Sequence, residues 1–201
     1  MNLNSPIIPL LPHMEREGID LLKESLQKTK VYLEYGSGGS TLFAAECGVS
    51  KIHSIDSDLH FLQAVQQKAQ ELYPKIDLNI YYANIGLTKE WGYPVDHSLM
   101  KNWPNYCITA WKEILTSSEL PDLILIDGRF RVASFLASLI FSKLGTIILF
   151  DDYYDRSHYH LVEKHLKVTK KAGRMAEFIV DTSFSKQQVI LDLMPYSTDP
   201  S

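Results

Sequence analysis

Short apolar runs alternate along the chain with segments in which apolar residues recur every three or four positions. The runs are typical of buried strands, and the wider spacing is typical of amphipathic helices. The runs predict strands at 31–35, 51–56, 78–83, 123–127 and 146–151. The spacing predicts helices at 15–27, 41–47, 58–73, 106–115, 132–141 and 158–168. This alternation predicts a doubly wound α/β sheet whose strands are parallel.

The end of the chain has a different pattern. Two strand-like runs, at 175–180 and 187–194, are joined by a link at 181–186 that is too short for a crossover helix. The two runs should therefore be antiparallel. The whole pattern predicts a seven-stranded sheet, mostly parallel, with a C-terminal antiparallel strand pair. The basic cluster at 170–174 is interpreted as a solvated loop, and the tail at 195–201 is predicted to be disordered.

A glycine-rich turn follows the first predicted strand, in the sequence Glu34-Tyr-Gly-Ser-Gly-Gly-Ser-Thr41. Its glycines permit positive φ and leave room for a ligand, and the helix that follows offers unpaired N–H groups. Asp56 ends the next strand. Its spacing along the sequence from the glycine turn is that at which an acid can accept hydrogen bonds from the hydroxyls of a ribose. Thr41 stands where a dinucleotide site requires its third glycine. Glu34 would repel a pyrophosphate and suits a ligand with a cationic amine.

This motif resembles the first motif of class I S-adenosylmethionine-dependent methyltransferases, and the resemblance extends over 30–194. It implies a Rossmann-like fold with S-adenosyl-L-methionine as cofactor, its ribose held by Asp56. It also implies that Asn84 contacts the adenine, although a turn role before Gly86 is an equal alternative. The cofactor-binding candidates are Glu34, Gly36, Ser37, Gly38, Gly39, Ser40, Asp56, Asn84 and Asp127.

Three carboxylates follow the fourth and fifth predicted parallel strands, and they should converge at one edge of the sheet. They are Asp127, Asp151 and Asp152. Converging carboxylates repel each other unless they are protonated or bridged by a cation, and oxygen ligands suit Mg²⁺. The pattern resembles metal-dependent O-methyltransferases of the catechol and sugar types. That resemblance implies a divalent metal at these three residues, which would orient a substrate hydroxyl.

The residues after Asp127 depart from both types. Phe130 stands where catechol-type enzymes carry a lysine base, and Arg129 stands where sugar-type enzymes carry an acid. Arg129 and Arg131 could neutralise the carboxylates by salt bridges without a metal, and the residues alone leave both interpretations open. Either arginine could also hold a carboxylate or phosphate of an anionic small-molecule acceptor.

The identity of the general base is less determined. His158 and His160 lie just beyond Asp152, and either is a candidate to accept a proton, but a histidine there is more often a surface or capping residue. The candidate catalytic residues are Asp127, Asp151, Arg129 and His158. The aromatic-rich stretch from Trp91 to Tyr106 is interpreted as a wall or lid over the substrate, or equally as a rigid cover on the sheet.

Composition narrows the function classes. The chain of 201 residues fits one domain, with a lead-in and helix at 1–29 and a core at 30–194. A net charge of −4 without a basic block argues against nucleic acid as a partner. Two cysteines do not make a disulfide framework, and no apolar run reaches membrane-spanning length. We therefore expect a cytoplasmic protein without a membrane partner.

The sequence favours an S-adenosylmethionine-dependent methyltransferase acting on a hydroxyl of a small molecule. A non-catalytic binding protein of the same fold is one alternative. A nicotinamide-dependent oxidoreductase is a weaker one, because the glycine spacing and the terminal strand pair argue against it. The acceptor and the oligomeric state stay open.

Overall fold

The computed structural model describes residues 6–201, which are organised around one sheet of seven strands. The strands lie in the order β3-β2-β1-β4-β5-β7-β6. The first five strands along the chain are parallel, and β7 is antiparallel to both of its neighbours. The strands are β1 Val31–Tyr35, β2 Lys51–Asp56, β3 Asp77–Tyr82, β4 Leu123–Ile126, β5 Ile147–Phe150, β6 Lys170–Ala172 and β7 Met175–Ile179. The predicted fold class is confirmed.

Helices cover both faces of this sheet. They are α1 Arg16–Leu26, α2 Gly39–Glu46, α3 Leu59–Leu72, α4 Asn105–Ile114, α5 Arg131–Phe141 and α6 Lys186–Tyr196. Leu123 and Leu125 of β4 pack on the side of α1 and α2, whereas Ile124 and Ile126 pack on the side of α4 and α5. Both faces of the strand are therefore buried, which explains its uninterrupted apolar sequence. Among residues 6–201, no helix has the length and apolar character needed to cross a bilayer.

The C-terminal antiparallel pair is confirmed in one strand only: the run predicted at 175–180 forms β7, but its predicted partner does not form a strand. The strand predicted at 187–194 is wrong, because this segment is helix α6, capped by the Ser185 hydroxyl. The second strand is instead β6, within the stretch interpreted as a solvated loop. β6 and β7 are joined by a two-residue turn in which Gly173 has φ +58°, so the hairpin is tight. A short apolar run does not distinguish a strand from a helix by its periodicity alone.

Two other segments differ from their predictions. The segment predicted as a helix at 158–168 forms a 3-10 helix, Ser157–Lys164. The tail predicted to be disordered from residue 195 instead begins with the last turn of α6. Beyond that helix, the carbonyl oxygen of Pro200 accepts a hydrogen bond from the backbone N–H of Phe130, 3.5 Å away. The chain end therefore packs near the start of α5.

Truncation in α6 tests its helical packing. Val189 is fully buried and Leu191 is 61% exposed, whereas a strand would place both side chains on one face. We expect Val189→Ala to lower the free energy of unfolding by about 2 kcal/mol, and Leu191→Ala to change it by less than about 0.5 kcal/mol. Urea unfolding followed by circular dichroism measures both. Equal losses in the two variants would contradict the helix.

Candidate functional site

A cavity of about 1010 Å³ opens at the carboxyl ends of the parallel strands. It lies around the junction of β1 and β4, where the strand order reverses and where open α/β sheets bind their ligands. Its walls come mainly from the loops that follow β1, β2, β3, β4 and β5. The lining residues include Gly36, Ser37, Gly38, Gly39, Ser40, Asp56, Trp91, Tyr106, Asp127, Gly128, Arg129, Arg131, Asp151 and Asp152.

Two glycine-containing loops meet at the floor of this cavity. Gly36 has φ +98°, and a Cβ atom on it would lie 2.8 Å from the backbone nitrogen of Gly128. A Cβ atom on Gly128 would collide with the hydroxyl of Tyr106. The loops after β1 and β4 can approach this closely only because neither residue carries a side chain. The glycine motif therefore serves packing between loops as well as access for a ligand.

Glu34 supports the glycine loop from behind. Its side chain is fully buried and does not line the cavity, and its predicted contact with a ligand stays a prediction. The carboxylate accepts hydrogen bonds from the hydroxyls of Tyr32 at 3.1 Å, Ser40 at 2.7 Å and Ser54 at 2.6 Å, and also from Thr41. Burial raises the pKa of Glu34 to about 7, although these hydroxyls favour the charged form.

Asp56 occupies the position predicted for a ribose-binding acid. Its Oδ2 accepts the backbone N–H of Ser37 at 3.0 Å, and its Oδ1 accepts that of Asp58 at 2.9 Å. These bonds fix the carboxylate at the cavity wall, and burial raises the pKa of Asp56 to about 6. Asp58 caps α3, since its Oδ1 accepts the N–H of Phe61 at 3.0 Å.

Two candidates lie outside the cavity wall. Asn84 is exposed, and its side-chain oxygen accepts the N–H of Gly86 at 3.2 Å, which is the turn role left open by the sequence. His158 is exposed, and its ring packs on Tyr159 with centroids 4.3 Å apart. Neither side chain lines the cavity. Arg156, two residues before His158, lines it instead.

Arg131 occupies the centre of the predicted metal site. It is 3% exposed, and its five N–H donors all find acceptors. Nε donates to the carbonyl of Gly128 at 2.9 Å, and Nη2 donates to the carbonyl and Oδ1 of Asp127 at 2.8 and 3.1 Å. Nη1 donates to the carbonyl of Asp151 at 2.7 Å and to Oδ2 of Asp152 at 3.2 Å.

The carboxylates of Asp127 and Asp152 are therefore compensated by guanidinium groups. Besides Arg131, Arg156 donates to Asp152 at 3.0 Å, and the Nε of Arg174 lies 3.5 Å from the same carboxylate. Asp152 reaches these partners from a backbone with φ +55°. Within 6–201, no group of three or more His, Cys, Asp or Glu side chains is arranged to hold a metal ion. The residues present do not fit the divalent metal implied by the resemblance. The salt-bridge alternative is confirmed for Arg131 and wrong for Arg129, which forms no ion pair with the described residues.

Asp127 and Asp151 are the acids best placed to act on a ligand. The side chain of Asp127 is 26% exposed and faces the cavity. Burial raises its pKa, Arg131 opposes that shift, and Asp151 adds to it. Burial, together with the nearby Asp152, also raises the pKa of Asp151. A carboxylate with a raised pKa at a cavity wall is suited to accept a proton near neutral pH.

The N-terminal segment supplies a wall that sequence reasoning missed. Pro9, Pro12 and His13 line the cavity, and the ring of His13 lies 5.6 Å from that of Trp91. The backbone of Leu11 lies so close to the glycine loop that a Cβ atom on Gly39 would collide with its carbonyl oxygen. The prolines predicted an extended lead-in, but nothing local in the sequence indicated its place over the site.

Comparison with known proteins assigns the family. No protein-family model and no curated protein matches the chain. A solved methyltransferase-like protein from Silicibacter pomeroyi DSS-3 is 31% identical, and the match covers 96% of this chain and 100% of that chain, with a TM-score of 0.84. The chain belongs to the class I S-adenosylmethionine-dependent methyltransferase family.

More distant members share the fold. An O-methyltransferase from Bacillus cereus, solved with SAH, is 16% identical, with 87% of this chain and 84% of that chain covered and a TM-score of 0.59. The N-methyltransferase NodS from Bradyrhizobium japonicum WM9, also solved with SAH, is 12% identical, with 82% and 86% covered and a TM-score of 0.52. These proteins methylate different kinds of atom, so the fold does not identify the acceptor.

The buried Glu34 predicts a pH-dependent stability. Because its folded pKa of about 7 lies above its ordinary value of 4.5, Glu34 stabilises the fold below pH 4.5 and loses this contribution as the pH rises through 7. Between these limits, the free energy of unfolding of the wild type should fall relative to that of Glu34→Gln, by on the order of 3 kcal/mol. Urea unfolding at several pH values measures the difference, with Glu46→Gln as an exposed control. If the difference in unfolding free energy between the wild type and Glu34→Gln did not change with pH, the raised pKa of Glu34 would be contradicted.

The arginine-centred site predicts indifference to divalent ions. Millimolar Mg²⁺ or Mn²⁺, and EDTA, should leave the melting temperature of the wild type unchanged, because Arg131 already compensates Asp127 and Asp152. Arg131→Gln should lower the free energy of unfolding by about 3 kcal/mol, since it leaves two carboxylates without their buried partner. Differential scanning calorimetry measures both. A higher melting temperature of the wild type in Mg²⁺ would show that a metal does bind.

Proposed function

We propose that this protein transfers a methyl group from S-adenosyl-L-methionine to an acceptor oxygen of a small molecule. One observation carries the proposal: the Asp56 carboxylate and the glycine loop open into one large cavity at the switch point of the sheet. This is where a cofactor with a ribose and an amino acid end would be recognised. The solved relatives that carry SAH support the same cofactor class.

Different residues of the cavity would contact different parts of the cofactor. Asp56, oriented by the N–H groups of Ser37 and Asp58, would accept hydrogen bonds from the ribose hydroxyls. The loop from Gly36 to Ser40 would lie along the amino acid end, with Glu34 keeping that loop in shape from behind. The acidic side of the cavity, at Asp127 and Asp151, suits the positive charges of the cofactor's ammonium and sulfonium groups.

The bound cofactor supplies an electrophilic methyl group, and the protein's task is to position an acceptor and remove its proton. Asp127 is the proposed general base, because its partly exposed carboxylate faces the cavity and has a raised pKa. Asp151 and Arg131 act as positioning residues: Arg131 holds Asp127 by both its backbone and its side chain. We assign the reaction no divalent metal, since the guanidinium of Arg131 takes the place that such an ion would need.

We place the reaction in the cytoplasm and on a small molecule. The net charge of −4 and the mixed charges around the cavity argue against nucleic acid as the acceptor. A cavity of this size is typical of small-molecule sites.

Cofactor binding is the first test. We expect the wild type to bind S-adenosylhomocysteine with one-to-one stoichiometry, and Asp56→Asn to bind it at least about tenfold more weakly, because a charged acceptor of two ribose hydrogen bonds is lost. The matched control is Asp58→Asn, which changes a neighbouring carboxylate and keeps the helix cap. Isothermal titration calorimetry measures all three affinities.

Absence of binding by the wild type, or equal affinities in all three proteins, would refute the assigned cofactor site. If binding holds, a turnover screen with labelled cofactor and varied hydroxyl acceptors tests the reaction. A protein that binds the cofactor and gives no methylated product with any acceptor would be a binding module of the same fold.

A further inference from the structure

Arg129 is a cavity-lining cation that lacks a counterion. Its side chain forms no ion pair with any carboxylate of residues 6–201, and its Nε is buried without a hydrogen-bond acceptor. Arg131, Arg156 and Arg174 also line this cavity, and each of them has a carboxylate within ion-pair distance. Arg129 therefore differs from these three arginines in being available to a ligand.

The surroundings of Arg129 make an anion favourable. A guanidinium removed from water loses hydration that only an acceptor can replace. Burial lowers the pKa of Arg129, and the nearby positive charge of Arg131 lowers it further. The positive charges of Arg129 and Arg131 thus repel each other. An oxyanion bound at Arg129 would reduce this repulsion and would replace the hydrogen bonds to water that the guanidinium has lost. The planar fork of arginine matches a carboxylate or a phosphate in two parallel hydrogen bonds.

The backbone of Arg129 is held in place before any ligand arrives. Its N–H donates to the hydroxyl of Tyr106 at 3.2 Å. Phe130, the next residue, has φ +52° and is buried, with its ring 5.7 Å from Trp103 and 5.3 Å from Tyr106. A residue fixed on both sides presents its side chain with little loss of entropy on binding.

The side chain extends toward the loop after β3. The Cγ of Arg129 would lie 3.8 Å from a Cβ atom on Gly92, next to Trp91. It therefore lies between the loop after β4 and the loop after β3, and it takes no part in the hydrogen bonds that Arg131 makes. Arg129 and Asp127, the proposed base, line the same cavity, so one ligand can face both.

We propose that Arg129 binds a carboxylate or phosphate group of the methyl acceptor. The acceptor is then a small hydroxylated anion, with its anionic group at Arg129 and its hydroxyl near Asp127. This inference rests on the proposed function. The same chemistry could be supplied by the carboxylate of the cofactor, and the experiment separates these two sources.

The probes are inorganic phosphate, 4-hydroxybenzoate and the methyl ester of 4-hydroxybenzoate. Each is titrated into the protein alone and into its complex with S-adenosylhomocysteine, and tryptophan fluorescence follows binding at the cavity wall that carries Trp91. We expect one or both anions to bind the complex and the uncharged ester not to bind. Arg129→Gln should weaken anion binding at least about tenfold, because a charged two-pronged contact is lost.

Lys89→Gln is the matched control, because Lys89 is an exposed cation at the rim of the same cavity. It should leave anion affinity unchanged. Arg129→Gln should unfold at a urea concentration no lower than the wild type, since it removes an unpaired charge; a lower midpoint would show that Arg129 has a structural partner and would overturn the proposal.

The affinities of Arg129→Gln for S-adenosylhomocysteine and for 5′-methylthioadenosine locate the source of the anion. Both should equal those of the wild type. Weaker binding of S-adenosylhomocysteine alone would assign Arg129 to the cofactor carboxylate and overturn the proposal. Anion binding that is absent in the wild type, or that survives in Arg129→Gln, would also overturn it. Failure of the wild type to bind S-adenosylhomocysteine counts against the proposed function instead, and the titrations of the protein alone still test Arg129.

Discussion

The candidate site depends on one buried guanidinium. Arg131 donates to backbone carbonyls at the ends of both β4 and β5, and to carboxylates that follow the same strands. A buried cation is tolerated only when its donors are satisfied, and here all five are. The two loops are therefore fixed to each other through a single side chain. The orientation of Asp127 toward the cavity follows from this arrangement.

A buried acid has the corresponding role on the other half of the sheet. Glu34 accepts hydrogen bonds from hydroxyl groups of β1, β2 and the start of α2. It therefore connects the glycine loop to the neighbouring strand. The two halves meet where Gly36 and Gly128 touch through their backbones. The buried side chains of Arg131 and Glu34 thus hold the loops that form the cavity. The residues that face a ligand lie on those loops. Rigid support of this kind keeps a functional constellation in register.

The sequence predicted what local patterns determine. Strands β1 to β5 and the helices between them came from apolar periodicity, and the position of Asp56 came from its spacing after the glycine turn. The sequence did not predict α6, because an apolar run without a clear period fits either a helix or a strand. It did not predict the hydroxyl groups around Glu34, because a motif does not show which side chains a buried carboxylate contacts. It named Arg131 as one alternative, but the choice between a cation of the protein and a metal depends on which donors meet in three dimensions.

The N-terminal segment gives the cavity an unusual boundary. Pro12 and His13 precede α1, yet they line the cavity beside the glycine loop that follows β1. The contact of His13 with Trp91 joins two parts of the cavity wall that are distant in sequence. Most of this segment is exposed, so few buried contacts hold it there. A ligand that fills the space beneath it would contribute much of the surface against which it packs. Occupancy of the site and order of the N-terminal segment are thereby linked, and each should favour the other by the same free energy.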